Sequence, residues 1–172
     1  MKIAVTGHPG VGKTTLILSV LERVPLRYGG MVTQEIQKVG RRVGFSLRDL
    51  ATGEEGVLAH VHLSEGPKVG RYRVNLRDLE GIGAAAIERA VEEAELVVVD
   101  EVGPMELHSP RFVRAVERAL SSDRWLLVAV HRASNHPLAY RIRREVDHHI
   151  RLTLRQRDQQ IQEILTLLSP GC

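Results

Sequence analysis

Apolar positions along this chain follow two rhythms. Solid blocks occur at Ile3-Ala4-Val5, Leu96-Val97-Val98-Val99 and from Trp125 to Val130; such runs suit strands buried on both faces. Between them the apolar residues recur at helical spacing, as in Leu16, Ile17, Val20 and Leu21, or Ile161, Ile164, Leu165 and Leu168. The pattern predicts helices over 13–23, 75–94, 110–120, 137–145 and 157–168. Pro25 ends the first, Asn75 is a good N-cap for the second, and Ser109-Pro110 starts the third by the cap-plus-proline rule. Gly81 and Gly83 weaken the first half of the second helix. Tyr28-Gly29-Gly30 reads as a turn before a strand over 31–36, and 146–154 reads as a strand.

The stretch 40–75 breaks the alternation. Short β-like pieces at 42–47, 56–61 and 70–74 are separated by turn residues such as Ala51-Thr52-Gly53 and Gly66-Pro67. We read it as a small antiparallel β-insertion in an otherwise alternating α/β chain. The expected architecture is therefore a single α/β domain over 1–172, with a mainly parallel sheet and helices on both faces.

Composition changes this picture little. The 172 residues, 43% hydrophobic and 26% charged, suit one soluble globular domain. No apolar run approaches the roughly 18 residues of a membrane span. Strand-like sequence begins at Lys2, so no signal peptide is expected and the cytoplasm is the default location. The lone cysteine, Cys172, permits no intrachain disulfide. Arginines outnumber lysines 20 to four, and the six aromatic residues are too few for base-stacking platforms along a single nucleic-acid strand.

Chemistry enters at the first strand's end. Gly7-His8-Pro9-Gly10-Val11-Gly12-Lys13-Thr14 is a complete G-x-x-x-x-G-K-[ST] phosphate loop, set between a strand and a helix. A helix N-terminus offers unpaired N–H groups and a positive dipole end. The glycines let the backbone curl around phosphates without an obstructing Cβ. Lys13 suits the β- and γ-phosphates and the Thr14 hydroxyl suits Mg²⁺, with Thr15 completing the binding set. The loop implies nucleotide binding.

A second element lies at the end of the buried run, in Asp100-Glu101. An acid there sits where open α/β sheets place their ligands. Asp100 fits the Walker B role of holding Mg²⁺, usually through water. Glu101 is then placed to orient a water and take its proton. Asp100-x-x-Gly103 also matches the D-x-x-G element of GTPases, but no Asn-Lys-x-Asp sequence for reading guanine occurs. Weaker candidates are Thr33 and Glu35 near the end of the second strand, His131 as a γ-phosphate sensor, and Glu106 as a helix cap or supporting acid. Six arginines lie between 141 and 157, and of these Arg143 or Arg144 is the preferred arginine finger.

With both motifs placed, further strings gain meaning: Gly30-Met31-Val32-Thr33-Gln34-Glu35, Gly40-Arg41-Arg42-Val43-Gly44-Phe45, Val69-Gly70-Arg71-Tyr72-Arg73-Val74, Asp100-Glu101-Val102-Gly103-Pro104-Met105-Glu106-Leu107 and His136-Pro137-Leu138. In this order they resemble the thermophile-type nucleoside-triphosphatase family, which includes the human cancer-related nucleoside-triphosphatase. The resemblance implies a RecA-like P-loop fold and Mg²⁺-dependent hydrolysis of several nucleoside triphosphates, ATP and GTP among them, to diphosphate and phosphate. It also implies two nucleotide-contacting segments, 7–14 and 97–104, the second comprising Val97, Val98, Val99, Asp100, Glu101, Val102, Gly103 and Pro104. Met31 stands where an aromatic residue is usual, and Gln156 where relatives often carry Asn.

Two rivals stay open from the sequence. A nucleoside or small-molecule kinase would use Arg141-x-x-Arg144 as part of a lid, and an acid beside the metal ligand fits it badly. A nucleotide-gated RNA- or protein-binding module would need a partner surface, and no nucleic-acid module accompanies the arginine cluster. The oligomeric state and the preferred base have no signature in the sequence.

Overall fold

The computed structural model describes residues 1–7 and 12–171. One nine-stranded sheet organises the chain. Its strands are β1 (Lys2–Thr6), β2 (Tyr28–Lys38), β3 (Arg41–Asp49), β4 (Glu55–His60), β5 (Lys68–Val69), β6 (Tyr72–Val74), β7 (Leu96–Val102), β8 (Trp125–Val130) and β9 (His148–Arg151), in the spatial order β5-β6-β4-β3-β2-β7-β8-β1-β9. The half from β2 to β9 is parallel throughout, and the half from β2 to β5 is antiparallel. The insertion is thus no separate unit. It extends the main sheet through β2, which serves both halves.

Helices α1 (Lys13–Leu21) and α6 (Arg157–Leu167) cover one face of the parallel half. The other face carries α3 (Ala85–Glu93), α4 (Pro110–Ser121) and α5 (Pro137–Glu145). The unbroken apolar run of β7 serves both cores: Leu96 and Val98 face α1, while Val97 and Val99 face α3 and α4. Alternating direction along a strand makes this necessary, since neither face meets water.

Several boundaries differ from the sequence pattern for identifiable reasons. The predicted helix over 75–94 is divided. A single turn, α2 (Leu76–Asp78), is capped by the Asn75 side chain accepting from the Asp78 N–H at 3.3 Å; a π-helical segment (Leu79–Ala84) follows before α3 begins. That segment contains both glycines that weakened the prediction. The predicted turn at 28–30 is the start of β2 instead, paired with Leu96, Val97 and Val98 of β7. Gly30 has φ 113°, and a Cβ there would lie 1.9 Å from the Val98 carbonyl oxygen. The glycine therefore permits the close strand approach that the turn reading missed. Helices α4 and α5 match their predicted spans to within a residue, and both open on a side-chain cap followed by proline.

Candidate functional site

The order β7-β8-β1 sets the geometry. Strand β8 lies between the strand leading into the phosphate loop and the strand bearing Asp100, so the loop's helix must reach across β8 to meet the acid. It does so through Thr14, whose Oγ1 donates to Asp100 Oδ2 at 2.5 Å. Lys13, mostly buried, places Nζ 3.5 Å from the Gly7 carbonyl and 3.7 Å from Glu101 Oε2. The distance to Glu101 makes an ion pair rather than a hydrogen bond. Glu101 Oε2 is buried without a hydrogen-bond partner. Of the predicted loop residues, Gly7, Gly12, Lys13, Thr14 and Thr15 are placed; His8, Pro9, Gly10 and Val11 lie outside the described residues.

Asp100 is 2% exposed. Burial pushes its carboxyl up to about 7, against the opposing pull of the Thr14 hydroxyl; the charge of Glu101 adds to the rise, and Lys13 and the Thr33 backbone N–H reduce it. A carboxyl so placed gains its charge most readily beside a cation. The donors present are one carboxylate and one hydroxyl, and no group of three His, Cys, Asp or Glu able to hold a metal occurs among the described residues. That set suits a hard, oxygen-loving ion such as Mg²⁺, which keeps several waters and takes further ligands from phosphate. The donor chemistry therefore suits the predicted ion, and Thr14 and Asp100 are the residues that could hold it.

Glu106 belongs to this site, although the sequence suggested mainly a capping role. It is 3% exposed, in a 3-10 turn (Glu106–His108) after β7. Burial, followed by the charge of Glu101, pushes its carboxyl well above the usual range. Gly103 separates the two acids: a Cβ there would lie 3.2 Å from Glu101 Oε1 and 3.2 Å from Glu106 Oε1. The sequence signal was the glycine flanked by acids in Glu101-x-Gly103-x-x-Glu106.

Other predicted residues fall elsewhere. Val97, Val98, Val99 and Val102 are fully buried in β7, so their side chains form core and not a nucleotide surface; they carry Asp100 and Glu101 into position. Gly103 is buried and Pro104 exposed. Glu35, on β2, is exposed and pairs with Arg42 of β3 at 3.1 Å. His131 does follow β8, between the two motif strands, but its Nδ1 accepts from the Ala133 N–H at 3.3 Å and holds a turn.

The expected arginine finger fares differently. Arg143 donates to the carbonyls of Ser134, His131 and Arg132 at 3.0, 3.1 and 3.1 Å, so its guanidinium clamps the loop after β8. Arg144 is exposed and lies 3.6 Å from Glu145. Neither has a side-chain hydrogen bond or ion pair with Lys13 or Thr14. Arg157, the first residue of α6, lies against Gly12: a Cβ on Gly12 would lie 2.4 Å from its Nη2. Its contact with Gly12 requires the fold of α6 against α1, which no local spacing reveals.

Comparison with known proteins agrees with this geometry. The family model described as NTPase matches residues 2–165. The nucleoside-triphosphatase THEP1 of Methanosarcina acetivorans is 52% identical over 148 residues, 84% of this chain and 83% of that protein. That of Thermotoga maritima is 41% identical over 169 residues, covering 98% and 95%. The crystal structure of THEP1 from the hyperthermophile Aquifex aeolicus superposes with a TM-score of 0.90 at 33% identity, over 99% of this chain and 100% of the other. The solution structure of a human cancer-related nucleoside triphosphatase gives 0.78 at 33% identity, over 98% and 97%. With the phosphate loop's helix and the Asp100-Glu101 strand end meeting across β8, this chain belongs to the NTPase family and has the P-loop NTPase fold.

Proposed function

We propose that this chain hydrolyses nucleoside triphosphates, with broad tolerance of the base, to nucleoside diphosphate and phosphate in an Mg²⁺-dependent reaction. The observation that carries the reading is the meeting of Thr14 and Asp100 at 2.5 Å with Glu101 beside Lys13. Lys13 and the loop amides hold the phosphates, and Thr14 and Asp100 hold the cation. When bound, Mg²⁺ offsets charge on the phosphate oxygens. Glu101 orients a water toward the γ-phosphorus and takes a proton as the new P–O bond forms. The bridging P–O bond breaks, and the nucleoside diphosphate leaves with its electron pair. Positioning and electrostatics then supply most of the rate.

The test is phosphate release from ATP, GTP, CTP and UTP, with and without Mg²⁺, for wild type and Glu101→Gln. Wild type releases phosphate from all four only when the cation is present. The variant loses on the order of 10²-fold or more in kcat while still binding nucleotide. Unchanged turnover in the variant would refute the role of Glu101. Phosphoryl transfer that appears only with an added acceptor would show a kinase instead.

A further inference from the structure

One residue of the sheet extension stands against both local conformational preference and the hydrophobic effect. Val39 lies at the tip of the hairpin between β2 and β3, where Lys38 pairs with Arg41. It is fully exposed, at 101%, and has φ 51°; Gly40 follows at φ 73°. Positive φ at both central residues makes a two-residue type I′ turn, which favours Asn-Gly. A β-branched residue in the left-handed region is strained, and an apolar one left in water gains nothing from burial. Strain of this kind persists where a side chain serves a contact outside the chain. We infer that this hairpin is a docking ribbon for double-stranded DNA, with Val39 at the floor of the major groove and Lys38 and Arg41 on the flanking phosphates.

The ribbon is braced at its base. Arg42 Nε donates to the Tyr72 hydroxyl at 2.9 Å, and the guanidinium lies 5.1 Å from the Phe45 ring centre and 5.7 Å from that of Tyr72. The two rings meet edge to face at 5.4 Å. Arg71 donates to the Tyr72 hydroxyl at 3.2 Å and to the Arg42 carbonyl, and Glu35 pairs with Arg42. The strings 40–45 and 69–74, which the phosphate site leaves unused, thus converge on one cluster. That cluster fixes the direction of the hairpin, so a partner need not bear the cost of ordering it.

Dimensions and charge select the partner. Strand β4 accompanies the hairpin only as far as Val43, whose carbonyl accepts from the Val61 N–H at 2.9 Å. Beyond it the two strands stand alone, with the pairs Gln37–Arg42 and Lys38–Arg41 and then the turn. At about 3.4 Å per residue, this tip reaches roughly 10 Å. The major groove of B-DNA, about 12 Å wide and about 8.5 Å deep, admits a two-stranded ribbon, whereas that of an RNA duplex is too narrow. The tip carries Lys38, Arg41 and Arg42, and Glu35 is the single acid of residues 35–45. Lys38 and Arg41 are exposed and form no side-chain hydrogen bond or ion pair with a described residue, so both charges are available to phosphate. Groove entry needs no stacking platform, in keeping with only six aromatic residues in the chain. Thymine methyl groups on the groove floor supply the apolar surface that Val39 lacks.

Fluorescence anisotropy with a short labelled DNA duplex tests the assignment. Wild type should bind it with an affinity that falls steeply between about 50 and about 200 mM salt. Lys38→Ala/Arg41→Ala should lower the slope of log K against log salt by about two. Val39→Asn should keep that slope and bind about tenfold more weakly. Its urea midpoint should hold or rise, since Asn suits the left-handed turn. Absent binding by wild type, or equal binding by both variants, would overturn the ribbon. Tighter binding of a single strand, an RNA duplex or phosphatidylserine vesicles would overturn the choice of duplex DNA. A lowered urea midpoint in Val39→Asn would also overturn the proposal, by showing that Val39 supports the fold and not a contact.

Discussion

Burial keeps the Asp100 carboxyl at about 7, against 3.8 for an ordinary aspartate, and this has a consequence for the free protein. The unfolded chain ionises Asp100 first as pH rises. Its contribution to stability is therefore fully present below about pH 4 and is lost progressively up to about pH 7. Asp100→Asn removes that dependence. Relative to wild type, the variant should gain a few kcal/mol on going from pH 4.5 to pH 8, read by urea unfolding of the nucleotide-free proteins; an unchanged difference would show the carboxylate to be already satisfied. Gly103 tests the adjacent acids. Its missing Cβ leaves room for the carboxylates of Glu101 and Glu106, so Gly103→Ala should lower kcat by about tenfold or more through displacement of Glu101. Its unfolding midpoint should move little, because the carboxylates can shift to accommodate one methyl group. At this scale Lys13, Thr14, Asp100 and Glu101 were legible because motif spacing is local. Glu106 was legible only as a choice between helix cap and supporting acid, since its burial and its neighbour depend on the turn after β7.

Helices α2, α4 and α5 each begin where a side chain supplies a hydrogen bond that the backbone lacks. Ser109 is fully buried at the start of α4; its Oγ accepts from the Phe112 N–H at 3.0 Å and donates to Glu80 Oε2 at 2.7 Å in the π-helical segment. One hydroxyl thus caps a helix and ties it to the element before α3. Ser109→Ala should cost about 1–2 kcal/mol in urea unfolding, with kcat unchanged for the molecules that remain folded. The cap was readable from Ser109-Pro110, but the bond to Glu80 was not, because it joins residues 29 apart in sequence. The same distinction explains 28–30. Two glycines in a row suggest a turn locally, yet parallel pairing with β7 draws them into a strand.

Across the whole molecule, the antiparallel extension and the parallel half share β2, and an ion pair with one buried partner reinforces the junction. Asp49, at the end of β3, accepts from the N–H groups of Ala51 and Thr52 and from Arg89 of α3 at 2.6 Å. The Asp49 side chain is 2% exposed and that of Arg89 40%, so solvent screens part of the interaction. Arg89→Ala should lower stability by about 1–2 kcal/mol without altering phosphate release, as judged by urea unfolding beside a turnover assay. By itself the sequence determined the alternating α/β plan, the phosphate loop, the acid pair and most helix limits. Each of these is set by periodicity, capping or motif spacing within a few residues. Tertiary structure alone decided that β8 separates the two motif strands, that Glu106 faces Glu101 across Gly103, and that Arg157 packs on Gly12. It also committed Arg143 to three carbonyls. Strand order and helix docking bring together residues remote in sequence, and their burial and pairing follow from that placement.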